Sequence, residues 1–167
     1  LYASACFGIG KNKEAIRVYR QMIEQAPRDP ALRVSLAHVH NAMGDTKSAV
    51  KLFHEAYHLQ PEFGDAYWSL ANTKSYRFSE PEIMTMSQGV ENPATPQLDR
   101  IQMHFALGKA FEDRKDFAAS FDHYAQGNTL KRETSHHSAE QLDIRVSTQI
   151  EVCTKELFDR LEGAGHR

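Results

Sequence analysis

The sequence predicts an all-α protein made of stacked helical hairpins. Three observations predict it. Apolar residues return at three- and four-residue spacing along the long segments, small and aromatic positions recur at a fixed interval, and no stretch alternates as a half-buried strand would. The segment from His104 to Lys131 shows the unit most clearly. Leu107, Ala110 and Phe111 mark one apolar stripe, Phe117, Phe121 and Tyr124 a second, and Arg114-Lys115-Asp116 forms the turn between them. One such hairpin cannot bury both stripes by itself; it needs neighbours stacked on it.

The neighbours are visible as a repeat. Gly10, Ala15, Tyr19 and Pro27 return as Gly44, Ala49, Phe53 and Pro61, each displaced by the same interval. Each position has its own physical reason. The glycines end a first helix where the backbone turns left-handed, and the alanines let two helices approach closely. Tyr19 and Phe53 fill the space between repeats, and the prolines stop the second helix. The interval, about 34 residues, and the residue types resemble the tetratricopeptide repeat (TPR). That resemblance implies a right-handed superhelical solenoid, here ending in a C-terminal helical cap or connector.

In chain order, residues 1–29 read as a truncated first TPR whose first helix survives only as Leu1 to Gly8, and 30–63 as a complete one. Residues 64–94 form a degenerate repeat. It opens with Ala66, Tyr67, Leu70 and Ala71 in first-helix positions, then departs from the pattern at Phe78-Ser79-Glu80-Pro81. Ser79 with Glu82 makes a capping box for a short helix from Pro81 to Gln88. Residues 95–132 read as a TPR with elongated helices, opened by a Thr95 cap and an N1 proline at Pro96. A second capping box, Ser138 with Gln141, starts the helical connector over 138–162, which carries Leu142, Ile144, Val146, Ile150 and Val152. The Leu1 start, partway into a helix and without an initiator Met, leads us to expect a piece of a longer protein.

Composition narrows the function classes. A formal net charge of -2 offers no field for nucleic acid or acidic membrane. Cys6 and Cys153 lie far apart and give no disulfide framework, so the expected setting is reducing and cytoplasmic. No apolar run approaches a membrane span. No cofactor is expected.

Two sets of residues bear on function. His54-Glu55-Ala56-Tyr57-His58 fits H-E-x-x-H, in which histidines one turn apart bind zinc and the glutamate acts as base. A metallopeptidase reading follows from it. Against it, Phe53 and Ala56 take the buried positions of the helix, leaving His54 and His58 outside, where a third ligand and a cleft are missing. His136-His137 reads as a polar turn. The second set comes from the TPR resemblance, which implies that the first helix of each pair lines a concave groove. The residues so placed include Val34, His38 and Asn41, then Asp65, Trp68, Asn72 and Tyr76, then Phe105 and Lys109. Trp68, the only tryptophan, has the apolar body and polar edge of an interface anchor. Chaperone-tail binding is argued down, because among these residues only Lys109 is basic and Glu112 and Asp113 flank it.

The wording of residues 63–132 is more particular than a generic repeat. Phe63-Gly64-Asp65-Ala66-Tyr67-Trp68-Ser69-Leu70-Ala71-Asn72, Tyr76-Arg77-Phe78-Ser79, His104 to Asp113, and Phe121-x-His123-Tyr124-x-x-Gly127-Asn128-x-Leu130-x-Arg132 resemble the TPR-containing sulfotransferases of bacteria. The resemblance implies repeats that precede a catalytic α/β domain using PAPS. The Gly-x-Pro-Arg-Ser-Gly type of phosphate loop has no counterpart here, so this segment is expected to be non-catalytic, with no catalytic or metal residue assigned. The expected work is capture of a polypeptide segment in the groove, beside a downstream catalytic domain of the parent chain. Self-association into a homo-oligomer is the alternative.

Overall fold

The computed structural model describes residues 2–134 and 139–164, and among these every regular element is a helix. The chain divides into two compact units, Leu1–Glu133 and Thr134–Arg167. The first holds α1 (Tyr2–Gly8), α2 (Asn12–Gln25), α3 (Pro30–Ala42), α4 (Thr46–Leu59), α5 (Gly64–Ala71), α6 (Glu80–Glu91), α7 (Gln97–Asp113) and α8 (Phe117–Thr134). Helices adjacent in the chain pack on each other from α1 to α5, and α7 takes both α5 and α6. The first unit is therefore a helical solenoid.

Local chemistry sets the corners. Gly10 and Gly44 hold φ of 76° and 80°, the left-handed conformation that only glycine adopts cheaply. Asp29 caps α3 by accepting from the Ala31 N–H, with Pro30 in the first turn, and Asp45 caps α4 by accepting from the Ser48 N–H. Ala15, Ala49, Ala56 and Ala66 are fully or almost fully buried, so the helices meet with little between them. Phe53, Tyr67, Leu70, Met86 and Leu107 fill the larger core cluster; Cys6, Tyr19, Leu36 and Val39 belong to a smaller one. Partly buried Leu52 touches both clusters and joins them into one seam.

The third hairpin is built differently. After α5 the chain runs through an irregular linker, and α6 starts at a capping box of Ser79 and Glu82, as the sequence predicts. The helix extends to Glu91, three residues beyond the predicted end at Gln88. Glu82 does more than cap. One carboxylate oxygen accepts from the Ser79 N–H and hydroxyl, both at 2.7 Å. The other accepts from the Tyr57 hydroxyl at 3.0 Å and from the Tyr76 hydroxyl. One buried carboxylate thus ties α4, the linker and α6 together. Burial by itself raises the Glu82 pKa, but the bonds from Tyr76, Ser79 and Tyr57 outweigh it and hold the carboxyl below its ordinary range.

Three expectations are corrected. Pro96 occupies the cap position of α7 and not its first turn, and Thr95 is buried with its hydroxyl unpartnered, so it caps nothing. Phe117 and Phe121, predicted to be a seam, are 66% and 72% exposed, because no described helix of the unit follows α8 to cover them. The Ser138 half of the second capping box and His136-His137 lie outside the described residues.

The second unit contains α9 (Ala139–Val152) and α10 (Lys155–Arg160). Thr154 caps α10 by accepting from the Leu157 N–H. Leu142, Ile144, Val146, Ile150 and Val152 are all exposed along α9. Among the described residues no helix is long and apolar enough to cross a membrane.

Removing the Glu82 carboxylate orphans two tyrosine hydroxyls and a helix cap, so Glu82→Ala should cost about 2–4 kcal/mol. Because its folded pKa is depressed, this stability is fully present above the ordinary carboxyl range and is lost as pH falls below it. Urea unfolding of both proteins at neutral and acidic pH checks magnitude and sign together.

Candidate functional site

The helices that open the second, third and fourth hairpins, α3, α5 and α7, supply the side chains in question. On α5, Trp68 remains 37% exposed although its neighbour Tyr67 is fully buried. Its ring centroid lies 5.5 Å from that of Phe105 on α7. Phe105 in turn lies 6.3 Å from the Tyr124 ring on α8, and the Lys131 Nζ sits 5.9 Å from the Phe105 centroid. These four groups form an aromatic run of three rings with a cation over the middle one. On α3, His38 is exposed, stands edge-on to Phe53 at 5.5 Å and reaches within 3.5 Å of the Ser69 hydroxyl. Asn41 is exposed near the end of the same helix, and Asp65 is half-buried at the start of α5.

Asn72 donates one amide N–H to the Trp68 carbonyl at 2.9 Å, closing the end of α5 beside the indole. Lys109 is committed within its own helix. Its ammonium lies 2.5 Å from an Asp113 carboxylate oxygen and 3.9 Å from Glu112, and Asp113 also faces Arg77 at 3.5 Å. A cation neutralised this way does not form a carboxylate clamp.

Two predicted groove residues lie elsewhere. Val34 is 2% exposed and belongs to the core cluster that also holds Ala49, Phe53, Ala66 and Tyr67. Tyr76 lies past the end of α5, in the linker, where its half-buried hydroxyl meets Glu82 and His54. Tyr124 and Lys131 join the aromatic run instead. Tyr124 is legible as part of the second stripe of its hairpin, whereas nothing in the sequence marks Lys131.

The H-E-x-x-H residues are also engaged. The His54 Nε2 lies 2.8 Å from the Tyr76 hydroxyl, so this nitrogen is engaged with the Glu82 network although the side chain remains partly exposed. The His58 Nδ1 donates to the His54 carbonyl at 2.7 Å, and Glu55 faces Arg33 and Lys51. Among the described residues, no three His, Cys, Asp or Glu side chains converge as a metal would require.

One further titratable pair sits between α7 and α8. The Nδ1 atoms of His104 and His123 are 3.1 Å apart, so one ring donates and the other accepts. Phe111 stacks on His123 at 5.4 Å. Burial, then His123 and Arg100, lowers the His104 pKa to about 4; burial lowers His123 as well, against a weaker pull from Asp122. Both rings are therefore neutral in the folded protein at neutral pH, while the unfolded chain takes up protons below about 6.5. Stability should be complete above that pH and fall as it drops toward 4, by about 3 kcal/mol for His104 alone. Denaturation midpoints between pH 7 and 4, compared with His104→Phe, give the measurement.

Comparison with known proteins follows this geometry. Residues 9–72 match the tetratricopeptide repeat family profile. Over 156 residues, 93% of the chain, the sequence is 26% identical to a protein of Aquifex aeolicus (strain VF5) that bears the designation "Uncharacterized protein". The chain spans 20% of that relative's length. The repeat spacing, the left-handed glycines and the stacked hairpins agree with the profile, and they assign residues 9–72 as a tetratricopeptide repeat region, a protein–protein interaction module.

Proposed function

We propose that the side chains offered by α3, α5 and α7 capture an extended polypeptide segment, with Trp68 and Phe105 as the anchor. The observation behind this reading is the exposure of Trp68. Its helix neighbours Tyr67 and Leu70 are fully buried, yet this indole keeps 37% of its surface open against a second aromatic ring. Such a pair takes an apolar side chain of a partner, and the exposed His38, Asn41 and Asn72 supply polar contacts to its backbone. As the only tryptophan, Trp68 also reports on its own occupancy. Screening a peptide array and titrating the hits by indole fluorescence should give saturable binding. Trp68→Ala, followed with a dye on the peptide, should weaken it about 30-fold or more, as an anchor residue does. An unchanged affinity would refute the assignment.

The finer part of the proposal is that the parent chain is a PAPS-dependent sulfotransferase whose acceptor polypeptide this face positions. Its support is the resemblance of residues 63–132 described above. Sulfuryl transfer to a protein acceptor that persists undiminished after loss of the repeats would remove it.

A second reading has its own observation. Phe117 and Phe121 stand one turn apart and open on α8, a surface suited to another copy of the chain. Light scattering across a concentration range should then show a dimer that Phe117→Glu with Phe121→Glu returns to monomer.

A further inference from the structure

We propose that the cleft between α7 and α8, beside Arg100 and His104, binds the carboxylate of a small organic acid. Two helical faces make the cleft. Arg100 and His104 stand one turn apart on α7, and Ala125, Gln126, Thr129 and Leu130 form the facing wall on α8. A cavity of about 280 Å³ lies between them. Gly127 brings the two helices this near, since a Cβ there would stand 3.1 Å from the His104 Cβ.

The fold leaves two side chains of this cavity incomplete. His104 is only 3% exposed. Its Nδ1 is spent on the His123 Nδ1 at 3.1 Å, and its Nε2 meets no hydrogen-bond partner among the described residues. Arg100 is half-buried, and its Nε donates to the Val90 carbonyl at 3.2 Å. Among the described residues no carboxylate pairs with its guanidinium, and none lines the cavity. Half-buried Arg33, by contrast, faces Glu55 at 3.6 Å. A cation withdrawn from water ordinarily has such a partner, and Arg100 awaits one.

The donor inventory sets the ligand class. With its Nε engaged, Arg100 keeps two Nη groups, whose fork matches the two oxygens of a carboxylate. His104 adds a third donor when its Nε2 carries the hydrogen, and His123 permits that tautomer by donating its own Nδ1–H. The exposed Gln126 amide supplies another at the rim. One fixed positive charge is balanced by a monocarboxylate, whereas it repels a metal ion that could use the imidazole alone. Ala125 and Leu130 give a short alkyl chain its apolar wall, and the cavity is too small for a drug-sized ligand. Two groups act electrostatically on the His104 ring, His123 from α8 and Arg100 from its own helix; α5 and α6 add none among the described residues. Asp122 acts on His123. Burial and both neighbours keep His104 neutral, and a bound carboxylate opposes them, so acid and proton bind together.

The probe is sodium butyrate, titrated into the full chain with carbon-13-labelled histidine and followed through the His104 Cε1–H resonance. A saturable shift in the millimolar range is expected at neutral pH. The His104 pKa, about 4 in the free protein, should rise toward its ordinary value at saturation. Arg100→Gln should weaken binding about tenfold or more. Ala125→Phe, which blocks the cleft from an exposed position and leaves both donors in place, should do the same. Trp68→Ala should leave butyrate binding unchanged, because the cleft shares no residue with the Trp68–Phe105 pair. The proposal is overturned by absence of a saturable shift, by butyramide binding as well as butyrate, or by native affinity in Arg100→Gln. Phosphate or chloride binding as tightly as butyrate would show an adventitious ion only, and overturns it too. So does saturation without a change in the His104 pKa, which places the acid elsewhere. Each of these failures leaves the peptide reading of the Trp68 face standing.

Discussion

Each hairpin of the first unit has two apolar sides and can bury them only against its neighbours. This one-dimensional dependence governs the rest of the structure. It explains why Ala15, Ala49 and Ala66 are small, why Tyr19 and Phe53 recur where they do, and why Leu52 contributes to both core clusters. It also explains the exposed Phe117 and Phe121. The last helix of a stack keeps the apolar surface that a further neighbour would cover, and this surface is a property of position in the array rather than of local sequence.

The carboxylate of Glu82 solves a problem created by the degenerate third repeat. Without the usual short turn, α6 has no automatic seat against α4. A polar network replaces the missing packing, with two tyrosine hydroxyls and a serine converging on one buried charge. Polar networks are directional where apolar packing is not, so α6 is held at a defined standoff instead of collapsing onto its neighbour. The space left open beside it follows from that choice of chemistry.

How much of this was readable in the sequence depends on the range of the interactions. The repeat interval, the glycine corners and the Ser79–Glu82 cap are local and were legible from spacing alone. So was the pairing of Lys109 with its acidic neighbours one turn away. Tyr76 was misread as a groove residue because the mapping assumed an undistorted third hairpin, whereas α5 stops at Ala71 and Tyr76 belongs to the linker that follows; Val34 was misread because a small apolar residue on a first helix serves core and groove alike in sequence. Thr95 was misread because a cap position and a buried position look alike in sequence. The convergence of Tyr57, Tyr76 and Glu82 spans two helices and a linker, and no spacing rule registers that.

The contact between α5 and α7 has a consequence for motion. The Gly64 N–H donates to the Asp99 carboxylate at 2.8 Å, and a Cβ at Gly64 would stand 2.4 Å from the Asp99 carbonyl oxygen. The spine of the stack thus passes directly from the third hairpin's first helix to the fourth hairpin, with α6 leaning on it from the side. Two backbones in such close register cannot slide past each other, so the third and fourth hairpins move as one piece, and a side chain at Gly64 would pry them apart.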